Sequence, residues 1–358
     1  MRPCLYVIAL AACGNSDVGP TTQLQALAGE VAVETGASVI ASDFAGNVLD
    51  EQVTDANGRV AVAQTDLVSV VFVRDDGTHV ITTTQLASGT LYIHGPAANK
   101  APIIAGGITV TGPAIAGPID IDFGCRSVTT DALPASASIA ATCFGTDSNI
   151  DVLITAGTSY FAARVPVADE VAILDIPAWL TETTPIAIDP AGATIAVTEI
   201  ADTFPFAAPD DHSAWTGLVA DQTRITATLD SRITTAYIPG VATAQTFTAA
   251  DFLAPLTTTL SAGYAWTATN LGDTTVLHVA SALTIWDAVL PTSADHIAFP
   301  LTATVTAPDT AAATATTLRA IDGPDTADFT DVQAAGLWNG SIVPPPTAGL
   351  LREADATL

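Results

Sequence analysis

Positive charge is the scarcest thing in this sequence. Ten lysines and arginines, with Lys100 the single lysine, face 37 aspartates and glutamates, for a net charge of −27. A surface of that sign repels phosphate backbones, so nucleic acid is excluded as a partner. Charge of either sign is thin as well, 13% of residues against roughly 25% in an ordinary globular protein. The chain is nonetheless 49% hydrophobic and carries no long block of like charge, which excludes a disordered polyelectrolyte. Long apolar runs are missing. Stretches such as Leu67-Val68-Ser69-Val70-Val71-Phe72-Val73 are strand-sized, well short of the about 20 residues a membrane-spanning helix needs. Twenty-two prolines work against long helices. Catalytic signatures are missing too: there is no Gly-x-Ser-x-Gly elbow, P-loop, dinucleotide fingerprint or His-Glu-x-x-His. Asp211-His212-Ser213 and Gly157-Thr158-Ser159 lack the flanking glycines, and no catalytic residue is assigned.

The N-terminus is where a signal stands out. One positive charge, Arg2, precedes the uncharged run Cys4 to Ala12, a length suited to the apolar region of a signal peptide. The run ends Leu10-Ala11-Ala12-Cys13 and is followed by Gly14-Asn15-Ser16-Asp17. This stretch resembles the bacterial lipobox. The resemblance implies a diacylglycerol on the Cys13 thiol, removal of residues 1–12 and acylation of the new amine. Several acyl chains on one residue give stable anchoring, since one chain alone binds only marginally. The membrane, held through the lipid at Cys13, is therefore an expected partner. Gly14 is not the aspartate that retains such proteins at the inner membrane, which points to the outer membrane. Of the four cysteines, Cys4 would leave with the signal and Cys13 would carry lipid. Cys125 and Cys143 remain, and in an oxidising compartment an isolated pair reads as a disulfide, worth about 3 kcal/mol by loop closure. The alternative is two buried thiols.

Beyond the N-terminus, apolar segments of five to eight residues rich in Val, Ile, Thr and aromatics recur. In Arg224-Ile225-Thr226-Ala227-Thr228-Leu229 the apolar residues alternate with polar ones, as in a half-buried strand. Turn signals separate the segments, among them Ala45-Gly46-Asn47, Ala56-Asn57-Gly58, Asp75-Asp76-Gly77 and Asn270-Leu271-Gly272-Asp273. The expected fold is all-β, with two or three tandem Ig-like or transthyretin-like β-sandwich domains. The expected division is a signal peptide at 1–12, a lipidated tether at 13–27 and a first sandwich at 28–98. A sandwich with the cysteine pair follows at 99–205, then a β-rich unit at 206–345, with 99–345 as one larger unit the alternative. Residues 346–358, after the Pro344-Pro345-Pro346 run, read as a loose tail. Helical turns are expected at Thr248–Leu253 and at Thr326–Ala335, the second with acidic residues at its start, where they complement the helix dipole.

Within the first unit, Gly29-Glu30-Val31, Gly36-Ala37-Ser38-Val39-Ile40-Ala41, Gly46-Asn47-Val48 and Val53-Thr54-Asp55-Ala56-Asn57-Gly58-Arg59-Val60 together resemble the carboxypeptidase regulatory-like domain. That family is a small transthyretin-like sandwich of structural or adhesive use, so the resemblance carries over no catalytic residue. In its Thr-Asp-x-x-Gly-Arg stretch, Asp55 and Asn57 are placed to bond local backbone and Gly58 to take a positive φ that closes a hairpin. Leu67 to Val73, apolar on both faces, reads as a central strand. The order of lipobox, small sandwich and Thr/Ala-rich β body also resembles surface lipoproteins of myxobacteria.

The side chains able to do chemistry are scattered. His79, His94, His212, His278 and His296 are far apart, and a transition-metal site needs three or four convergent ligands. Calcium is the cation an aspartate-rich chain would bind. Its densest candidates, Asp322, Asp325, Asp328 and Asp331, lack the EF-hand spacing and would share a solvated helix face. Asp120-Ile121-Asp122 puts two carboxylates on one strand face. The tryptophans Trp179, Trp215, Trp266, Trp286 and Trp338 read as sandwich core, with Tyr264-Ala265-Trp266 the best alternative for a sugar-stacking pair. The function these features imply is a non-catalytic cell-envelope lipoprotein, structural or binding an envelope protein or glycan. An envelope hydrolase acting on polysaccharide or peptide is the alternative.

Overall fold

The computed structural model describes residues 21–28, 32–63, 65–84, 90–96, 104–140, 143, 149–166, 171–201, 204–256, 258–261, 264–268, 272–300, 302, 305, 307–308, 315–323, 329, 337–338 and 348–357. The protein is all-β, as expected. Its backbone is a twelve-stranded sheet, which runs in spatial order Phe204–Ala207, Thr194–Ala201, Gln222–Leu229, Arg232–Pro239, Gly349–Thr357, Ala315–Asp322, Thr274–Ala280, Thr284–Pro291, Gly77–Thr84, Leu67–Arg74, Ser38–Ser42 and Val48–Val53. Most neighbours are antiparallel. Thr284–Pro291 and Gly77–Thr84 pair in parallel, Trp286 opposite Val80, and this pairing joins the strands of the first segment to those of the last. Leu67–Arg74 lies inside the sheet, between Ser38–Ser42 and Gly77–Thr84, which is the central position its two apolar faces call for.

One face of this long sheet packs on a five-stranded sheet built from Thr21–Ala28, Ala32–Val33, Arg59–Ala63, Thr90–Gly95 and Leu337–Trp338. Leu24, Ala26, Val60, Val62, Leu91 and Ile93 from the small sheet share a core with Val70, Phe72, Ile81, Val276, Val289, Ile321 and Leu351 from the long one. The opposite face is covered by segments between residues 244 and 308 and carries Trp286, Leu277, Val279, Leu290, Tyr264, Trp266 and Phe299 in one cluster.

Two expectations are corrected here. The tether does not extend to residue 27, because Thr21–Ala28 is a strand pairing with Arg59–Ala63 and Thr90–Gly95. Leu24 and Ala26 alternate with Gln23 and Gln25 and are fully buried, so the short apolar period outweighs the polar look of the segment. The loose tail is likewise a strand, Gly349–Thr357, inserted between Arg232–Pro239 and Ala315–Asp322. Leu351 and Ala354, on opposite faces, are both buried.

The turn at Thr54–Gly58 forms, but it does not close the expected hairpin: Val48–Val53 pairs with Ser38–Ser42 in the long sheet and Arg59–Ala63 with Thr21–Ala28 in the small one, so the turn carries the chain from one sheet to the other. Asp55 Oδ1 accepts the backbone N–H groups of Asn57 at 2.7 Å and Arg59 at 2.9 Å, and Gly58 sits at φ +68°. A Cβ there would lie 2.6 Å from the Ala26 carbonyl oxygen, so only glycine lets this turn approach the small sheet.

A second sandwich stands on residues 104–176. The sheet Ser127–Thr130, Ile119–Asp122, Asn149–Ala156, Ser159–Pro166 faces the sheet Ala135–Ala140, Ile104–Thr111, Val171–Asp175. Ile108, Val110, Ile121, Ile139, Val152, Ile154 and Leu174 fill the space between. Cys125 and Cys143 form a disulfide, with Cα atoms 5.3 Å apart. Thr194–Ala201, which the sequence division assigns to the same unit, belongs to the long sheet instead. Of the expected helical turns, the first is a 3-10 turn at Ala249–Asp251, where Asp251 accepts the Thr248 backbone N–H at 2.7 Å. Thr326–Ala335 lies outside the described residues, Phe329 excepted.

Candidate functional site

A depression of about 500 Å³ opens where the turn at 45–48 meets the segment covering the long sheet, lined by Gly46, Asn47, Tyr264, Ala298, Phe299 and Ala307 among others. Behind the lining, Asp43 holds Asn47 in place: its carboxylate accepts the backbone N–H and the side-chain amide of Asn47, both at 2.8 Å. Those bonds lower the Asp43 pKa and fix the turn. Gly46, at φ +83°, lets that turn touch the opposite wall, since a Cβ there would lie 2.9 Å from the Phe299 carbonyl oxygen. Tyr264 holds the left-handed conformation, φ +55°, where a bulky side chain is strained. Its ring meets Trp286 edge-on with centroids 5.1 Å apart, and Trp286 meets Phe299 in the same way at 5.1 Å. Trp286 is anchored in turn by an indole N–H donated to Thr82 Oγ1 at 2.9 Å. The walls can grip an apolar face by contact.

Ionisable side chains converge elsewhere, on the sandwich face of the long sheet. His278 and Asp287 oppose each other across neighbouring strands, and the ring Nδ1 lies 2.6 Å from Asp287 Oδ1. That bond raises the His278 pKa against the opposing pull of burial. On the next strand Arg319 donates through Nε to Asp355 at 2.7 Å and reaches Glu353 at 3.5 Å. Burial pulls the Arg319 pKa down, but the bond to Asp355 and the nearby carboxylates outweigh it, so the net shift is upward. Burial pushes Glu353 up, with Arg319 opposing. Each acid here has a cation or an imidazole beside it, which makes the strip a cross-strand brace.

The residues singled out in the sequence fall into separate places. Asp322 forms an ion pair with Arg352 on the adjoining strand, so a cation already occupies its carboxylate. Asp325, Asp328, Asp331 and Cys13 lie outside the described residues. Asp120 accepts the Thr129 hydroxyl at 2.6 Å and Asp122 the Gly124 N–H at 2.8 Å, and burial raises the Asp122 pKa. His79, His212 and His296 each pair with a local aspartate, Asp76, Asp211 and Asp295. Among the described residues no three His, Cys, Asp or Glu side chains converge in a way that would hold a metal. Tyr264 and Trp266 are both buried in the long-sheet core, so they form no exposed stacking pair.

Glu199 was missed by sequence reasoning. It lies on the inward face of Thr194–Ala201 with no exposed surface, and Oε2 accepts the Trp215 backbone N–H at 2.6 Å. Burial pushes its pKa to about 7, against the pull of that bond. The available signal was the alternation Ile195, Val197, Glu199, Ala201, which puts one acid in an otherwise apolar row. Comparison with family models, with curated proteins and with solved structures gives no match.

Proposed function

We propose that this chain is an exported, lipid-anchored, non-catalytic protein of the cell envelope whose β-sandwich body binds an envelope partner or glycan. The observation that carries the reading is the position of the first strand. Thr21–Ala28 is built into the small sheet, and the eight residue steps from Cys13 to Thr21 span at most roughly 28 Å of extended chain. A lipid on Cys13 would therefore hold the folded body against the membrane surface. The resemblance of residues 28–74 to the carboxypeptidase regulatory-like domain supports a structural or adhesive role. The depression at Asn47, Tyr264 and Phe299 supports binding by contact, because among the described residues its lining holds no carboxylate or imidazole.

One observation favours the competing reading, a hydrolase acting on polysaccharide or peptide: Glu199, held near pH 7, has the protonation behaviour of a general acid. Against it stands its complete burial, which keeps any substrate from the carboxyl in this conformation. Membrane fractionation and intact mass of wild type beside Cys13→Ser test the proposal. A membrane-bound wild type carrying acyl mass, with a soluble or unprocessed variant, supports it. A soluble wild type cut at another bond sinks it.

A further inference from the structure

The outer face of the disulfide sandwich meets the end of the long sheet in a small apolar seam, where Leu153, Tyr160 and Ala162 pack with Ala201, Phe206, Leu218 and Trp215. Residues 213–216 are clamped within it from both sides. From the long sheet, Glu199 Oε2 accepts the Trp215 N–H at 2.6 Å. From the sandwich, the Tyr160 ring meets Trp215 edge-on at 4.5 Å, and its hydroxyl accepts the Thr216 N–H at 3.1 Å while donating to the Glu182 carbonyl at 2.6 Å. Glu199 Oε1 and the Ser213 hydroxyl are buried with no hydrogen-bond partner among the described residues.

Other titratable groups stand on every element packed here, and none of them pairs with Glu199. On the sandwich side these are Tyr160 and the Asp151–Arg164 pair, with Arg164 also 3.9 Å from Asp221. Asp210, Asp211 and His212 are exposed on the segment leading to Trp215. Arg224, on the adjoining strand, opposes Thr198 and so projects to the other face of the sheet. Asp202 lies outside the described residues.

We infer that Glu199 is a pH-operated latch: neutral, it holds residues 213–216 against Tyr160; ionised, it releases them and lets the disulfide sandwich part from the long sheet. The reason is the missing counter-charge. An ionised carboxylate buried in this apolar seam has no cation beside it among the described residues, and the available relief is to open and hydrate. Closed, the carboxyl titrates at about 7; opened to solvent, it returns to its ordinary 4.5. That difference lowers the closed-to-open ratio by up to about 300-fold as pH rises through this interval.

Hydrogen exchange of peptides covering residues 208–221, on the full chain between pH 5 and 8.5 and corrected for intrinsic rates, tests the latch. Wild type is expected to lose protection progressively between pH 5 and 7, by just under about 100-fold, and to level off above 7, while Glu199→Gln stays flat. The same pH dependence in Glu199→Gln overturns the inference, as does a dependence that survives in Glu199→Gln and vanishes in His212→Gln. If Glu199→Gln fails to fold, the carboxyl carbon resonance of Glu199 in wild type decides. A midpoint raised above 4.5 toward 7, within the interval over which protection is lost, supports the latch, and a midpoint at 4.5 overturns it.

Discussion

Asp151 enters the seam from the disulfide sandwich with 4% of its surface exposed, and Glu199 enters from the long sheet with none. Asp151 is met by the Arg164 guanidinium, which bonds both carboxylate oxygens at 2.8 to 3.2 Å from the opposing strand. Glu199 is met by one backbone N–H. A bidentate cation replaces the water a buried carboxylate has lost, so the Asp151 site can stay closed. A single amide cannot, so Glu199 answers to pH. The same chemical group thus serves as a fixed brace on one side of the seam and as a titrating contact on the other.

The largest effect is expected from making the first site resemble the second. Arg164→Met keeps an unbranched stem but leaves Asp151 buried without its cation, which should destabilise the sandwich by about 3–5 kcal/mol at neutral pH. Denaturant unfolding checks this. A loss under about 1 kcal/mol would mean that Arg164 adds little and that the two sites differ less than their geometry says.

The converse change sharpens the comparison. A carboxyl whose pKa is raised by folding keeps the native state at full strength below its unfolded value. Stability is then lost as pH rises, between 4.5 and about 7 for Glu199. That interval corresponds to at most about 3 kcal/mol, present as a penalty above pH 7. Glu199→Gln should therefore be more stable than wild type by up to about 3 kcal/mol at pH 8, and close to it at pH 5. A difference between the two proteins that does not change with pH would remove the contrast with Asp151.

How much of this the sequence displays depends on whether the deciding contact is local. The Asp55–Gly58 turn is legible because its donors, acceptor and glycine lie within five residues. Leu67–Arg74 declares itself central by being apolar on both faces, and Cys125 and Cys143 are left as a pair by elimination. The first strand and the last are not legible. Gln23 and Gln25 make Thr21–Ala28 look like a tether, and Gly349–Thr357 carries Arg352, Glu353 and Asp355 among its apolar residues. Those charges are tolerated because neighbours distant in sequence supply Asp322 and Arg319. Glu199 is half legible: its strand shows a buried acid by alternation, but Trp215 and Tyr160 are brought to it only by the tertiary fold.

The smallest effect belongs to the compensated strip, where the comparison can be repeated with a base. The bond to Asp287 raises the His278 pKa above its ordinary 6.5. A histidine so raised adds stability that is fully present below the unfolded value and is lost as pH climbs through the folded one. Asp287→Asn removes the charge while keeping the shape and an oxygen acceptor, so it should lower the His278 midpoint and flatten this part of the stability profile. The ring is 35% exposed, so solvent screens much of the pairing and the loss near pH 6 should be about 0.5–1 kcal/mol. Proton NMR titration of His278 reads the midpoint directly. An unchanged midpoint in Asp287→Asn would show that the neighbouring carboxylates, rather than Asp287, set the proton affinity, and the strip would then be a diffuse field instead of a chain of specific pairs.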